Sequence, residues 1–234
     1  MNRKLVFWTA FNSYQSSKLL RGKPEGTPHP CTTDTWINSR IALFKWFNLP
    51  SILQQKYDDF LYIVLMDPKS KEKVDGLMPK EDSRVLYVYE DSEVLDKLKS
   101  YDEIVYALID SDDMYSIDAG EIMMAEKNKE WMYFKYGYAY DILNKKLYGY
   151  DTIGSGPFFA HRFNPKNMKH FDREKRHPTH PAVINFKPQQ LPDNNFCVSI
   201  HDINTSSRIG MRYILRKEEK NVNILKERFG YENK

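Results

Sequence analysis

Four mainly apolar runs, Leu5-Val6-Phe7-Trp8, Phe60 to Met66, Arg84 to Tyr89 and Val105 to Ile109, constrain the fold of this chain more than any other feature. Most of them are continuous rather than alternating, which marks strands buried on both faces of a sheet. Helical patterns stand between them. Thr33-Asp34 offers a cap, and Trp36, the Arg40 stem, Leu43, Phe44 and Phe47 then recur on one face. Pro50-Ser51 is expected to break that helix before a short turn over residues 52–55, and residues 91–98 read as a further short helix. Strand, helix, strand in this order predicts parallel βαβ units and an α/β fold.

The run at Val105 passes straight into Asp110-Ser111-Asp112-Asp113. In an open α/β sheet, ligands collect beyond the carboxyl ends of the strands. Three carboxylates that each ionise near pH 4 repel one another at neutral pH unless a cation or strong donors offset them. The acidic loop is therefore the candidate active site, able to hold Mg²⁺ or Mn²⁺ against a substrate phosphate. The local alternative is that Asp112 or Asp113 merely caps a helix over residues 116–128. A second candidate is His201, at the end of the strand Phe196 to His201, because imidazole can complete a metal site, although a lone histidine is more commonly structural. His170, Glu174, His177 and His180 have zinc-like spacing, yet Pro178 and Pro181 interrupt any helix that would align them, so a solvated or phosphate-facing loop is expected.

From about residue 130 the pattern changes. Residues 131–136, 138–143 and 147–150 read as aromatic-rich antiparallel strands around Asn144-Lys145-Lys146, and residues 158–160 as another strand after Gly154-Ser155-Gly156-Pro157. Residues 161–192 read mostly as loop with a short helix, and residues 209–229 as a charged helical region with Met211 and Ile214 among its inward positions. Residues 12–30 form a long loop able to cover a ligand. The expected organisation is one domain over 1–208, with 1–115 as a nucleotide-binding half and 116–208 as an acceptor and metal half, followed by a C-terminal helical extension over 209–234.

Composition excludes several classes. Lys+Arg 35 against Asp+Glu 32 leaves a net charge of +3, so no polybasic field calls for nucleic acid. No stretch approaches the roughly 18 apolar residues of a transmembrane segment. Cys31 and Cys197 make neither a disulfide framework nor a Cys-x-x-Cys zinc site, and the N-terminus lacks a signal peptide's apolar segment, so a cytoplasmic protein is expected. Neither a P-loop nor a Gly-x-Ser-x-Gly elbow is present.

Three separated blocks carry a family likeness. They are Trp36, Arg40, Leu43, Phe44, Leu49-Pro50-Ser51, Gln54 or Gln55 and Phe60; then Asp110-Ser111-Asp112-Asp113; then His201-Asp202-Ile203-Asn204-Thr205-Ser206. With them the chain resembles the rhamnosyltransferase family within the GT-A glycosyltransferases. The resemblance implies a GT-A-type Rossmann-like mixed sheet flanked by helices, with an antiparallel aromatic-rich acceptor-side half. It also implies a nucleotide-diphosphate sugar donor, Mn²⁺ or Mg²⁺ as cofactor, and a glycan or other hydroxyl acceptor. Carried over by position, Asp110 would approach the ribose or base, Asp112 would ligate the metal, Asp113 would support it, His201 would be a second metal ligand, and Asp67 would contact the base. The family commonly has an Arg shortly before its acidic motif, where this chain has Ala107-Leu108-Ile109. An inverting transfer also needs a carboxylate base, for which Asp151 is the candidate and Asp141 the alternative. Two other readings compete: a non-catalytic carbohydrate or nucleotide-sugar binder, and a metal-dependent phosphodiesterase.

Overall fold

The structure, a computed structural model, describes residues 2–12, 33–79, 82–152, 158–168, 183–201 and 215–231. Strands β1 (Arg3–Ala10), β2 (Phe60–Leu65), β3 (Val85–Val88) and β4 (Glu103–Leu108) lie parallel, and Leu5 faces Phe60 on one side and Val105 on the other. The helices are α1 (Asp34–Leu43), α2 (Leu49–Leu53), α3 (Lys71–Val74), α4 (Asp91–Leu98), α5 (Ala119–Ala125) and α6 (Ile224–Phe229). Leu5 and Phe7 pack into the core shared with Trp36, Ile37 and Ile41 of α1. Val6 and Trp8 enter a second core with Val94, Leu95 and Leu98 of α4 on the opposite face. Burial on both faces is why the β1 sequence does not alternate.

The strand expectations after residue 130 hold, but their distribution between sheets was not legible. Strands β6 (Trp131–Phe134), β9 (Phe159–Phe163) and β10 (Gln189–Leu191) extend the first sheet, giving the order β10-β6-β9-β4-β1-β2-β3. β9 runs antiparallel between β4 and β6, so the sheet is mixed. A second sheet, β12-β8-β7-β11-β5, holds β5 (Met114–Tyr115), β7 (Tyr136–Asp141), β8 (Lys146–Asp151), β11 (Phe196–Ile200) and β12 (Leu215–Glu219). The α/β fold with mixed sheets is the one expected. The two sheets do not divide at residue 115, because β6, β9 and β10 return to complete the first. Gly137 is fixed by the approach of β7 to β11: a Cβ there would lie 2.6 Å from the Phe196 carbonyl oxygen.

Three local expectations are corrected. Pro50 does not break the first helix: Phe44–Asn48 forms a π turn that runs directly into α2. The proline falls in the first turn of α2, where the ladder has already shifted register and its missing N–H costs least. The residue flanking the start of α5 is Asp118, so neither Asp112 nor Asp113 is a helix cap. The stretch expected to be helical from 209 contains strand β12, paired antiparallel with β8, and only then α6. β12 takes up the hydrogen-bonding edge that β8 would otherwise expose, and its charged sequence suits an edge strand. Leu225 and Phe229 of α6 pack with Phe47, Tyr140 and Cys197 in a third core. Among the described residues no helix is long and apolar enough to cross a membrane. Most of the 12–30 loop, residues 154–157, His170, Glu174, His177, His180, Met211 and Ile214 lie outside the described residues.

Candidate active site

The parallel strands β1, β2 and β4 end on one edge, at Ala10, Leu65 and Leu108. Ile109 N still donates to Trp8 O at 3.0 Å, after which Asp113 N turns back to Asp110 O at 3.1 Å. The chain then enters β5, which pairs with β11 in the other sheet. The acidic loop is thus the strap by which the chain crosses between sheets. It is held from both sides. The Tyr115 hydroxyl donates to Leu108 O at 2.6 Å, and Asn48 Nδ2 donates to Asp110 O at 2.9 Å and to Asp113 O at 3.0 Å. Asn48 Oδ1 accepts from the buried Tyr62 hydroxyl. The π turn brings Asn48 to this position at the end of its run.

The carboxylates differ in environment. Asp112, 4% exposed, accepts at Oδ2 from Arg40 Nη1 and, at 2.8 Å, from His201 Nε2. The Arg40 guanidinium lies 4.9 Å from the ring centroid of Trp36, one turn earlier on α1. Asp113 Oδ1 accepts from Ser199 N at 2.9 Å, just past the Cys197–Met114 pair, so a side chain continues the β5–β11 ladder. Asp110 is exposed. Burial alone would push Asp112 up, but the Arg40 charge and the His201 bond hold it below the usual carboxylate range. Burial, reinforced by the charges of Asp112 and Asp110, pushes Asp113 well above that range despite the Ser199 donor. An ionised Asp112 can only accept, so His201 carries its proton on Nε2, and its buried Nδ1 has no hydrogen-bond partner among the described residues.

Asp112 and His201 are therefore together, by direct contact. That arrangement does not fit one ion held between them, because Nε2 faces the carboxylate itself and Oδ2 already takes two N–H donors. Among the described residues no group of three or more His, Cys, Asp or Glu side chains is arranged to hold a metal. The positive charge at Asp112 is that of Arg40. Asp67, on the same sheet edge as Asp110, caps a short turn: its Oδ1 accepts from Lys69 N at 2.8 Å while its N–H donates to Asn12 Oδ1 at 2.9 Å. Asp141 lies beside Ile200, next to His201, but its two oxygens hold the hairpin turn through Asn144 N at 3.0 Å and Nδ2 at 2.7 Å. Asp151 is at the other end of the same hairpin, opposite Tyr136, in an ion pair with Arg216 at 3.0 Å. Neither carboxylate is presented as an unpaired base.

Sequence reasoning missed Asn48 and Ser199, and it read Arg40 as an aliphatic stem and as part of the first family block, with no role at Asp112. Asn48 had a signal: it is the amide inside the apolar stretch Leu43 to Leu53 and is fully buried, a combination that demands hydrogen-bond partners. Ser199 had none, because it contributes a backbone N–H that any residue would supply.

No family model matches the sequence, and no curated protein matches it. In fold the chain is similar to the 4-diphosphocytidyl-2C-methyl-D-erythritolsynthase of Anaerococcus prevotii, at 12% sequence identity and a TM-score of 0.35, over 85% of this chain and 86% of that one. A likeness at that level says nothing of activity, and the rhamnosyltransferase resemblance stays one of motifs.

Proposed function

We propose that the chain is a glycosyltransferase that moves a sugar from a nucleotide-diphosphate donor to a hydroxyl acceptor, with a glycan as the acceptor class. What supports this reading is the buried, Arg40-paired Asp112 just beyond the carboxyl ends of the parallel strands in the mixed sheet, the edge at which open α/β sheets bind ligands. In this reading Asp67 and Asp110 meet the base or ribose, Asp113 secures the strap, and Asp112 with His201 borders the diphosphate. Transfer breaks the bond between the anomeric carbon and a phosphate oxygen. The charge that builds on the departing diphosphate is stabilised best by a preorganised cation in a site closed to water. An ion of Mn²⁺ or Mg²⁺ joins this reading only if Arg40 leaves Asp112. Asp151 and Asp141 remain the candidates for the base that deprotonates the acceptor, and each would first have to release Arg216 or Asn144.

That engagement of both carboxylates favours a second reading, a nucleotide-sugar binder without transfer activity. A thermal-shift panel of UDP, dTDP and GDP sugars, each with and without Mn²⁺ or Mg²⁺, followed by an assay of nucleotide release, separates the two. Stabilisation with acceptor-dependent release supports transfer, and stabilisation without release supports the binder. If no nucleotide raises the melting temperature in a manner lost in Asp112→Asn, both readings fall.

A further inference from the structure

We propose that the Arg40 guanidinium is the resident cation of this site, standing at Asp112 where a divalent ion would stand, and that Mn²⁺ and Arg40 compete for that carboxylate. Three observations carry it. Arg40 is only 6% exposed, and its Nη1 and His201 Nε2 meet the same oxygen, Asp112 Oδ2. An ion that ligates this oxygen must displace one of them, and two full positive charges on one buried carboxylate repel. The guanidinium is also built in: it stacks on Trp36 and rises from α1, so it reaches the acidic strap without any ligand present.

Among the described residues Arg40 Nε and Trp36 Nε1 are buried nitrogens with no hydrogen-bond partner, and neither group can ever accept. Buried donors left unpaired are rare, and donor-only groups clustered around a single ion pair call for an acceptor-rich anion. Phosphate oxygens meet that need, and a guanidinium pairs with them through two parallel N–H bonds. With Arg40 as its counter-charge, the diphosphate of a donor needs no divalent ion to be held. This last step rests on the nucleotide reading above, whereas the competition at Asp112 does not.

The test has one arm for each part. Mn²⁺ alone is titrated, by the loss of its free paramagnetic resonance signal, against the wild type, Arg40→Gln, Arg40→Lys and the double variant Arg40→Gln/Asp112→Asn. With a competitive coupling of ordinary size, Arg40→Gln binds Mn²⁺ about tenfold more tightly than the wild type, and Arg40→Lys, which keeps the charge, stays within about threefold of it. The double variant loses the gain. Equal Mn²⁺ affinity in wild type and Arg40→Gln, or a gain that survives Asp112→Asn, overturns the competition. Should Arg40→Gln fail to fold, Arg40→Lys and the wild type still decide: micromolar Mn²⁺ binding by either with the guanidinium or ammonium in place overturns it. In the other arm, UDP, GDP and pyrophosphate are titrated in EDTA. Binding in EDTA that weakens in Trp36→Phe, which keeps a ring and removes the N–H, supports the anion site, and binding seen only with Mn²⁺ overturns it. If no nucleotide binds under any condition the transferase reading fails, while the Mn²⁺ arm still reports on Arg40.

Discussion

His201 Nε2 and Asp112 Oδ2 stand 2.8 Å apart inside the protein, and the same oxygen carries the Arg40 guanidinium. One carboxylate thereby joins α1, the strap between the two sheets and the end of β11, three elements far apart in the sequence. Because all three side chains are buried, none can lose its partner without leaving a polar group that water cannot reach.

Asp112→Asn keeps the shape and removes the charge. Breaking a buried pair by removing one partner costs roughly 3–5 kcal/mol, and Arg40 is the group left uncompensated. Urea denaturation at pH 7 should show a loss of that order. A loss below about 1 kcal/mol would mean that Arg40 finds another counter-charge.

Asn48→Ala removes the amide that bridges the Asp110 and Asp113 carbonyls and accepts from Tyr62. Each buried group left unpaired costs about 1–3 kcal/mol, so a total loss of about 2–4 kcal/mol is expected, together with faster hydrogen exchange at residues 110–113. Tyr62→Phe, which leaves both carbonyl contacts intact, should cost less than half as much. Equal losses in the two variants would show that the bridge to the strap contributes little.

Asp113 and Asp112 bend the pH profile of stability in opposite directions. A carboxyl whose folded value is raised contributes stability that is fully present below its unfolded value, about 4, and is lost as pH rises through the folded value. Asp113 is of this kind. Asp112 is depressed, so its contribution is present above about 4 and is lost as pH falls through its folded value. Asp113→Asn keeps an acceptor for Ser199 N and abolishes the charge. Its melting temperature should exceed that of the wild type at pH 8, with the gain shrinking towards pH 4. A constant difference between the two proteins across that range would remove Asp113 as the source.

Cys197 is fully buried in the third core, and burial raises its thiol well above the ordinary value. A thiol held protonated and shielded reacts slowly. In a Cys31→Ser background, labelling by a disulfide reagent should follow global unfolding, with a rate that climbs in urea in step with loss of structure. Prompt labelling of the folded protein would show that β11 opens locally.

How much of this was legible depended on the range of the interaction. Continuous apolar runs at Leu5, Phe60 and Val105 determined an α/β chain with parallel strands, because covering both faces of a strand leaves its mark within a few residues. The acidic strap was visible for the same reason, since three carboxyl groups in four positions need an explanation wherever they fold. Three things were decided only by tertiary structure: that Asp112 meets Arg40, that Asp113 faces a backbone N–H of β11, and that Asp151 and Asp141 are engaged by Arg216 and Asn144. A side chain's spacing in the sequence records which face of its own element it occupies. The group it meets across the core is set by how α1, β11 and the strap are brought together, and an arginine on an apolar helix face reads identically whether it covers that face or neutralises a buried acid.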